Sequence, residues 1–244
     1  KLVFIIGPSG VGKSTLLEAL GLMNKTAIPR TNSHFLFSSE DQEIKYDFLS
    51  IWKKRDVEIS QIRNHHFSFI FQNTELMANL SPFENAYIPL LIQGRSKEEA
   101  RKEVQEVIHK MNMSSEIDDS RQVSDFSIGQ RQRLAFIRAI TPKFSVLFGD
   151  EPTGNLDRPN AYRLMKTLKN SIVESNSSAI IVSHDLELAI DFADLIILIQ
   201  RKYNEGDSKD NAIGYIDAQS VFTHDFDNNF WNNSKAKYTE KRIK

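Results

Sequence analysis

Cysteine is absent from all 244 residues. A disulfide framework and a cysteine-ligated zinc site are therefore excluded, and the composition fits a reducing cytoplasm. Charge of one sign is not in excess either: 31 basic residues face 32 acidic ones, a formal net charge of −1. A broad nucleic-acid surface needs a basic excess or stripe, so nucleic acid is not expected as a partner. Long apolar runs are missing too. The best candidates, Leu195–Ile199 and Tyr87–Ile92, fall far short of the ~20 residues that cross a bilayer, and the second contains Pro89. Any membrane association has to come through a partner chain. The opening Lys1-Leu-Val-Phe-Ile-Ile6 has neither the apolar length nor the cleavage site of a signal peptide. It begins without Met, and the expectation is that residues precede it.

What is present is an ordinary globular composition, 40% apolar and 26% charged, with 16 phenylalanines that point to an aromatic core. The length suits one ample core, or one core with a small lobe. Leu2–Ile6 reads as a buried strand running into the glycine-rich Gly7-Pro8-Ser9-Gly10, and Ser14–Leu22 as a helix with Leu16, Leu17, Ala19 and Leu20 near its inward face. Weak strands are expected near Phe35–Phe37 and Ile44–Phe48, and a buried one at Phe67–Phe71. The segment 73–139 changes character. Ser96-Lys-Glu-Glu99 is a capping box opening a helix that carries Ala100, Val104, Val107, Ile108 and Met111. A second helix starts near Gly129 and runs to Pro142. Strand signals return at Ser145–Phe148, Ala179–Val182 and Leu195–Ile199, with a helix holding Tyr162, Leu164, Met165 and Leu168 between the first two. Such alternation implies an α/β fold, a mostly parallel sheet with helices on both faces. The tail after Gln200 is polar, and a hairpin around Gly206 followed by loosely ordered chain is expected there.

Gly7-Pro-Ser-Gly-Val-Gly12-Lys13-Ser14 is a complete G-x-x-x-x-G-K-[ST] phosphate loop between a strand and a helix. Its glycines let successive amides curve around phosphate oxygens at the positive end of the following helix. Gly7, Pro8, Ser9, Gly10, Val11, Gly12, Lys13, Ser14 and Thr15 are the nucleotide-binding candidates, with Lys13 on the β- and γ-phosphates and Ser14 on Mg²⁺. Ser145-Val-Leu-Phe-Gly-Asp150-Glu151 is an apolar strand ending in two carboxylates. Asp150 suits the Mg²⁺ water shell, and Glu151 can reach an attacking water as general base.

Between these two lies Phe126-Ser127-Ile128-Gly129-Gln130-Arg131-Gln132-Arg133, which resembles the signature of the ABC ATPase family. Glu151-Pro-Thr-Gly-Asn-Leu-Asp157 matches that family's stretch from Walker B to the D-loop. Ile180-Ile-Val-Ser-His184-Asp185 matches its switch histidine, and Phe69-Ile-Phe-Gln72 its Q-loop. Five motifs stand in the family's order across residues 3–200, whereas Gln72 or His184 alone would read as a loop residue. The resemblance implies a P-loop NTPase (RecA-like) core over 1–72 and 140–200, an inserted helical subdomain over 73–139, and a polar extension over 201–244. It implies ATP and Mg²⁺ as cofactors, with Ser14, Gln72 and Asp150 toward the metal and Glu151, His184 and Gln72 toward hydrolysis. It also implies a head-to-tail dimer in which Ser127, Gly129 and Gln130 face the other subunit's ATP and Asp157 crosses the interface. A transmembrane permease subunit would dock near Gln72 and the apolar stretch 82–93, placing the chain peripherally at the cytoplasmic face of a membrane. Glu84–Gly94 and Asp150–Asp157 resemble the family's lipoprotein-release, macrolide-export and cell-division group.

Three departures stand out. Ile128 occupies the place of the signature's first glycine. The family's N-terminal hairpin, with its adenine-stacking aromatic, is not in the sequence. Residues 24–66 carry no Ser-Gly turn and are longer than typical. A soluble ABC ATPase of nucleic-acid metabolism is disfavoured by the neutral charge, by the lack of a long heptad run between Lys13 and Asp150, and by the single ATPase domain. A mechanotransmission ATPase without transport stays open. So does a weakly active regulatory subunit, whose one support is Ile128.

Overall fold

The computed structural model describes residues 1–25, 36–38, 45–53, 55–117, 121–202, 213–226, 230–233 and 237–238. The elements run β1 (Leu2–Ile6), α1 (Lys13–Leu20), β2 (Leu36–Ser38), β3 (Lys45–Asp47), α2 (Phe48–Ile51), α3 (Asp56–His66) and β4 (Phe67–Ile70). The helical stretch holds α4 (Pro82–Ile92), α5 (Lys97–Lys110) and α6 (Ile128–Ile140). Then come β5 (Val146–Asp150), α7 (Arg158–Glu174), β6 (Ser178–Ser183), α8 (Leu186–Phe192) and β7 (Leu195–Leu198). The chain continues through β8 (Gln200–Lys202), β9 (Ile213–Tyr215), β10 (Val221–Asp225), β11 (Phe230–Asn232) and β12 (Lys237–Tyr238).

Five strands form a parallel sheet in the order β7-β1-β6-β5-β4. Strands covered on both faces read as continuous apolar runs, and β1 shows why. Successive side chains point to opposite faces. Leu2, Phe4 and Ile6 enter one core cluster, and Ile5 between them enters the other. Leu147, Ala179 and Ile181 share the first cluster with helices α4 to α8; Phe148 and Val182 share the second with α1, α3 and the β2–β3 hairpin. Fully burying one such side chain contributes ~1.5–3 kcal/mol, so this two-sided packing is what fixes the sheet.

The expected capping box at Ser96 is present: its hydroxyl accepts from the Glu99 amide at 3.3 Å, and the Glu99 carboxylate accepts from the Ser96 amide at 2.9 Å. Of the residues placed on this helix, Ala100, Val104, Ile108 and the C-cap Met111 are buried, and Val107 packs partly buried against the same core. The polar tail departs from expectation. Strands β8 and β9 do pair antiparallel, while Gly206, the expected turn, lies outside the described residues. The chain that follows is not loose where described: β10 pairs antiparallel with β7, β11 with β10, and β12 with β11, extending the main sheet to eight strands. Phe222 and fully buried Trp231 anchor these strands to the first core cluster.

Candidate functional site

The phosphate loop, Gln72, the two carboxylates after β5 and His184 all lie at the carboxyl ends of the parallel strands. The phosphate loop follows β1, Gln72 follows β4, Asp150 and Glu151 end β5, and His184 follows β6. In open α/β sheets ligands bind in this crevice.

The phosphate loop is a left-handed turn opening α1. Gly10 and Gly12 have φ of +79° and +89°, and a Cβ on Gly12 would meet nothing within 4 Å. Backbone conformation, not crowding, requires glycine there, and the open space lies where an anion would sit. Gly12 is also the N-cap of α1, whose first amides receive no side-chain cap. Uncapped amides and the helix dipole make an anion site. Lys13 Nζ donates to the carbonyls of Gly7 (2.9 Å) and Pro8 (3.0 Å), so its charge is tethered across the loop.

Ser14, Gln72 and Asp150, the three residues expected at the metal, line one open cleft of ≈460 Å³ with Glu18 and Glu75 beside them. Burial lifts the Asp150 carboxyl above its ordinary pKa; a hydrogen bond from the Ser14 hydroxyl opposes that shift, while nearby Glu151 raises it further. The Lys13 charge also pulls against burial and the neighbouring acids, and the oxygen atoms of Ser14, Gln72 and Asp150 are of the kind a hard cation takes.

Glu151 has φ +49°, a left-handed conformation that few non-glycine residues adopt. Three bonds hold it: its amide donates to Val182 O at 2.9 Å, and its carbonyl accepts from the Gly154 amide (3.1 Å) and from Gln132 Nε2 (2.9 Å). The turn throws its side chain, only 15% exposed, toward the switch histidine, with Glu151 Oε2 2.9 Å from His184 Nδ1. His184 is itself 73% exposed.

The signature opens α6. Ser127 is the N-cap, its hydroxyl accepting from the Gln130 amide at 3.2 Å, while Gln130 Oε1 accepts from the Ser127 amide at 2.8 Å. Asp157 caps α7 by accepting from the Asn160 amide at 3.0 Å. Ser127 and Asp157 therefore stand exposed at helix starts, with Gln130 in the first turn of α6.

A sequence model of the family described as ABC transporter matches residues 1–154. The lipoprotein-releasing system ATP-binding protein LolD of Aquifex aeolicus is 36% identical over 189 residues, 78% of this chain and 77% of that protein. Its counterpart of the same name from Pseudoalteromonas translucida is 34% identical, over 78% and 75%. Among solved structures, the dimeric MJ0796, a bacterial ABC transporter cassette, superposes with TM-score 0.68 at 30% identity, covering 81% of this chain and 80% of that one. A post-hydrolysis state of MJ0796 bound to ADP and Pi matches with TM-score 0.68 at 29% identity.

The chain belongs to the ABC transporter family. It is an ATP-binding, ATP-hydrolysing subunit, and its fold is the family's P-loop NTPase cassette. One apparent departure from the ABC pattern and the expected docking stretch can now be placed. Ile128 is the first residue of α6, in ordinary helical backbone and 59% exposed, so no left-handed strain is stored in the signature. The apolar stretch Pro82–Gln93 is mostly interior: Phe83, Ala86, Tyr87 and Leu90 are buried, while Leu91 and Ile92 are 37% and 62% exposed.

Sequence reasoning passed over three features of the site. Gln132, quoted only as part of the signature run, is 2% exposed and clamps the Glu151 turn. Arg138 donates to the carbonyls of Thr74 (2.9 Å) and Glu75 (2.7 Å), tying the Q-loop to α6. The β8–β9 hairpin leans on the phosphate loop: Arg201 donates to Ser9 O, and a Cβ on Gly214 would come within 2.3 Å of Val11 O. A polar residue periodic with a helix carries no sequence mark of such tertiary contacts.

Proposed function

We propose that this chain powers a membrane-bound partner of the lipoprotein-release and export type by ATP-driven closure of a head-to-tail pair of ATPase subunits. Support for the subgroup comes from the LolD proteins at 36% and 34% identity, and for pairing from the dimeric cassette of similar fold. Among the described residues no helix is long and apolar enough to cross a membrane. In this reading the chain is a peripheral subunit held at the cytoplasmic face by its partner.

The observation that carries the chemistry is Glu151, held at φ +49° with its carboxylate on His184 beside the cleft of Ser14, Gln72 and Asp150. Non-glycine residues persist in that conformation where surrounding bonds over-determine it, and such strain gathers at functional sites. The loop amides and Lys13 bind the phosphates. Ser14 and Asp150, with Gln72 at the rim, are the oxygen donors for Mg²⁺, which when bound neutralises phosphate charge. Glu151 accepts the proton of the attacking water as general base. His184, exposed on the switch, reaches toward the γ-phosphate and fixes the Glu151 carboxylate. Ser127, Gly129 and Gln130 on one subunit offer a helix start to the ATP of the other, with Asp157 crossing alongside. The Ser127 hydroxyl accepts from its own helix and still has a proton to donate. The permease docks along the Q-loop and the exposed end of α4, at Leu91 and Ile92.

The test is Glu151→Gln with ATP binding and hydrolysis measured separately. Binding is expected to stay intact while turnover falls by at least ~100-fold, the scale of a lost general base. Near-normal hydrolysis removes Glu151 from its role.

A further inference from the structure

Gln132 is a buried amide with both ends engaged. It lies five residues into α6 from the signature cap, 2% exposed. Its Nε2 donates to Glu151 O at 2.9 Å, and its Oε1 accepts from the Asn155 amide at 3.0 Å. One side chain therefore spans the turn 151–155, joining the backbone carbonyl of Glu151 at its start to the segment that leads into Asp157. Buried amides need both donor and acceptor satisfied, and apolar packing could fill the same volume more cheaply.

The residue it touches is the strained one. Glu151 holds a left-handed backbone that a non-glycine residue adopts only at a cost, and it needs bonds that fix its peptide groups. The Val182 carbonyl holds its amide, while Gly154 N–H and Gln132 Nε2 hold its carbonyl. Of these, only Gln132 comes from a side chain and from the signature helix. The other contacts lie within the β5–β6 ladder and the turn itself. Arg138, two turns further along α6, grips the Q-loop carbonyls of Thr74 and Glu75. A single rigid helix thus meets the signature cap at its start, the Glu151 turn in its middle and the Q-loop near its end.

We infer that Gln132 is the positioning residue for Glu151: it transmits the seating of the signature helix to the orientation of the carboxylate, through its bonds to Glu151 O and Asn155 N. The inference rests on the reading of Glu151 as base. Gln132 acts through the Glu151 turn rather than on the reacting atoms. Its removal lets the turn relax toward ordinary backbone and swings the carboxylate off its line to the crevice.

The near-isosteric Gln132→Met is the first variant, with ATP affinity, turnover and thermal midpoint measured on the whole chain. ATP affinity is expected within about twofold of the parent, while kcat falls by about 30-fold or more, since misplacement of a reacting group by ~1 Å costs up to ~100-fold. Gln132→Glu keeps an acceptor for Asn155 N but puts a carboxylate against Glu151 O; it should lose kcat similarly, and it supplies the measurement if the Met variant does not fold. The deciding experiment is the double variant with Glu151→Gln. A residue acting through Glu151 adds less than about threefold to the loss already present, because the pair behaves as a unit. A merely structural residue adds its full loss again, and that result overturns the inference, as does near-parental kcat in both Gln132 variants. If Glu151→Gln alone turns over normally, the base assignment fails first and takes this inference with it. Normal turnover in the Gln132 variants beside an inactive Glu151→Gln removes the inference alone.

Discussion

Ile128→Gly restores the glycine that the signature pattern leads one to expect, and its outcome follows from backbone geometry. Were position 128 left-handed, a β-branched residue would store ~1–2 kcal/mol, and glycine would release it as a 5- to 30-fold gain, on the scale of ~1.4 kcal/mol per tenfold. The position is instead the first residue of α6 and is 59% exposed. Glycine there gains nothing from strain relief. It forfeits ~0.5 kcal/mol of helix propensity at most, and less at a first turn. The partial burial of the Ile side chain adds a further loss of about 1 kcal/mol, since more than half of it faces solvent. The variant should therefore be slightly less stable, with turnover within about tenfold of the parent. Steady-state ATP hydrolysis at saturating nucleotide, beside a urea titration, measures both. A gain well beyond tenfold would mean that Ile128 impairs the signature, and the regulatory-subunit reading would then replace that of a working ATPase.

Lys13→Ala should lower ATP affinity at least about tenfold, ~1.4 kcal/mol, because the loop loses the cation tethered at Gly7 and Pro8; unchanged binding of a fluorescent ATP analogue would contradict it. Ile92→Asp, at an exposed end of α4, should leave intrinsic hydrolysis unchanged and abolish its stimulation by the reconstituted membrane partner; full stimulation places the docking surface elsewhere. Trp231→Ala should cost ~3–5 kcal/mol by calorimetry or denaturant unfolding, as expected for a fully buried aromatic side chain. A loss under about 1 kcal/mol would show that the C-terminal strands are not part of the core.

How much of this was readable in advance depends on whether the determining forces are local. β1 announced itself because both sheet faces are covered, leaving five apolar residues in a row before a glycine turn. The Ser96 box was legible because its two bonds close within four residues. Strands β10 and β11 were not, because each commits only one fully or nearly fully buried side chain to the core, Phe222 or Trp231, amid polar neighbours. Pairing with the edge of β7 then supplies what the sequence pattern lacks. The apolar 82–93 stretch showed that burial was needed but not on which side, and most of it turned inward. The site residues were named by motif, yet the left-handed backbone of Glu151 has no trace in the letters Asp-Glu-Pro-Thr. It arises from bonds to residues 31 positions ahead and 19 behind.

That last point bears on how the site can be both strained and dependable. A general base must be aimed, and a side chain on relaxed strand backbone would follow the pleat of β5 rather than turn toward His184. Placing Glu151 at the first residue past the strand lets its amide complete the ladder to Val182 while its carbonyl leaves the sheet. The carbonyl is then an acceptor that the ladder cannot satisfy, and the fold offers it Gly154 and Gln132. The donor from α6 makes the aim of the carboxylate sensitive to the seating of a helix whose capped start is exposed. A turn held only from within would be indifferent to what meets the signature. A turn held in part from α6 has a physical route by which engagement at Ser127 reaches the carboxylate beside His184, over one helix and one buried amide.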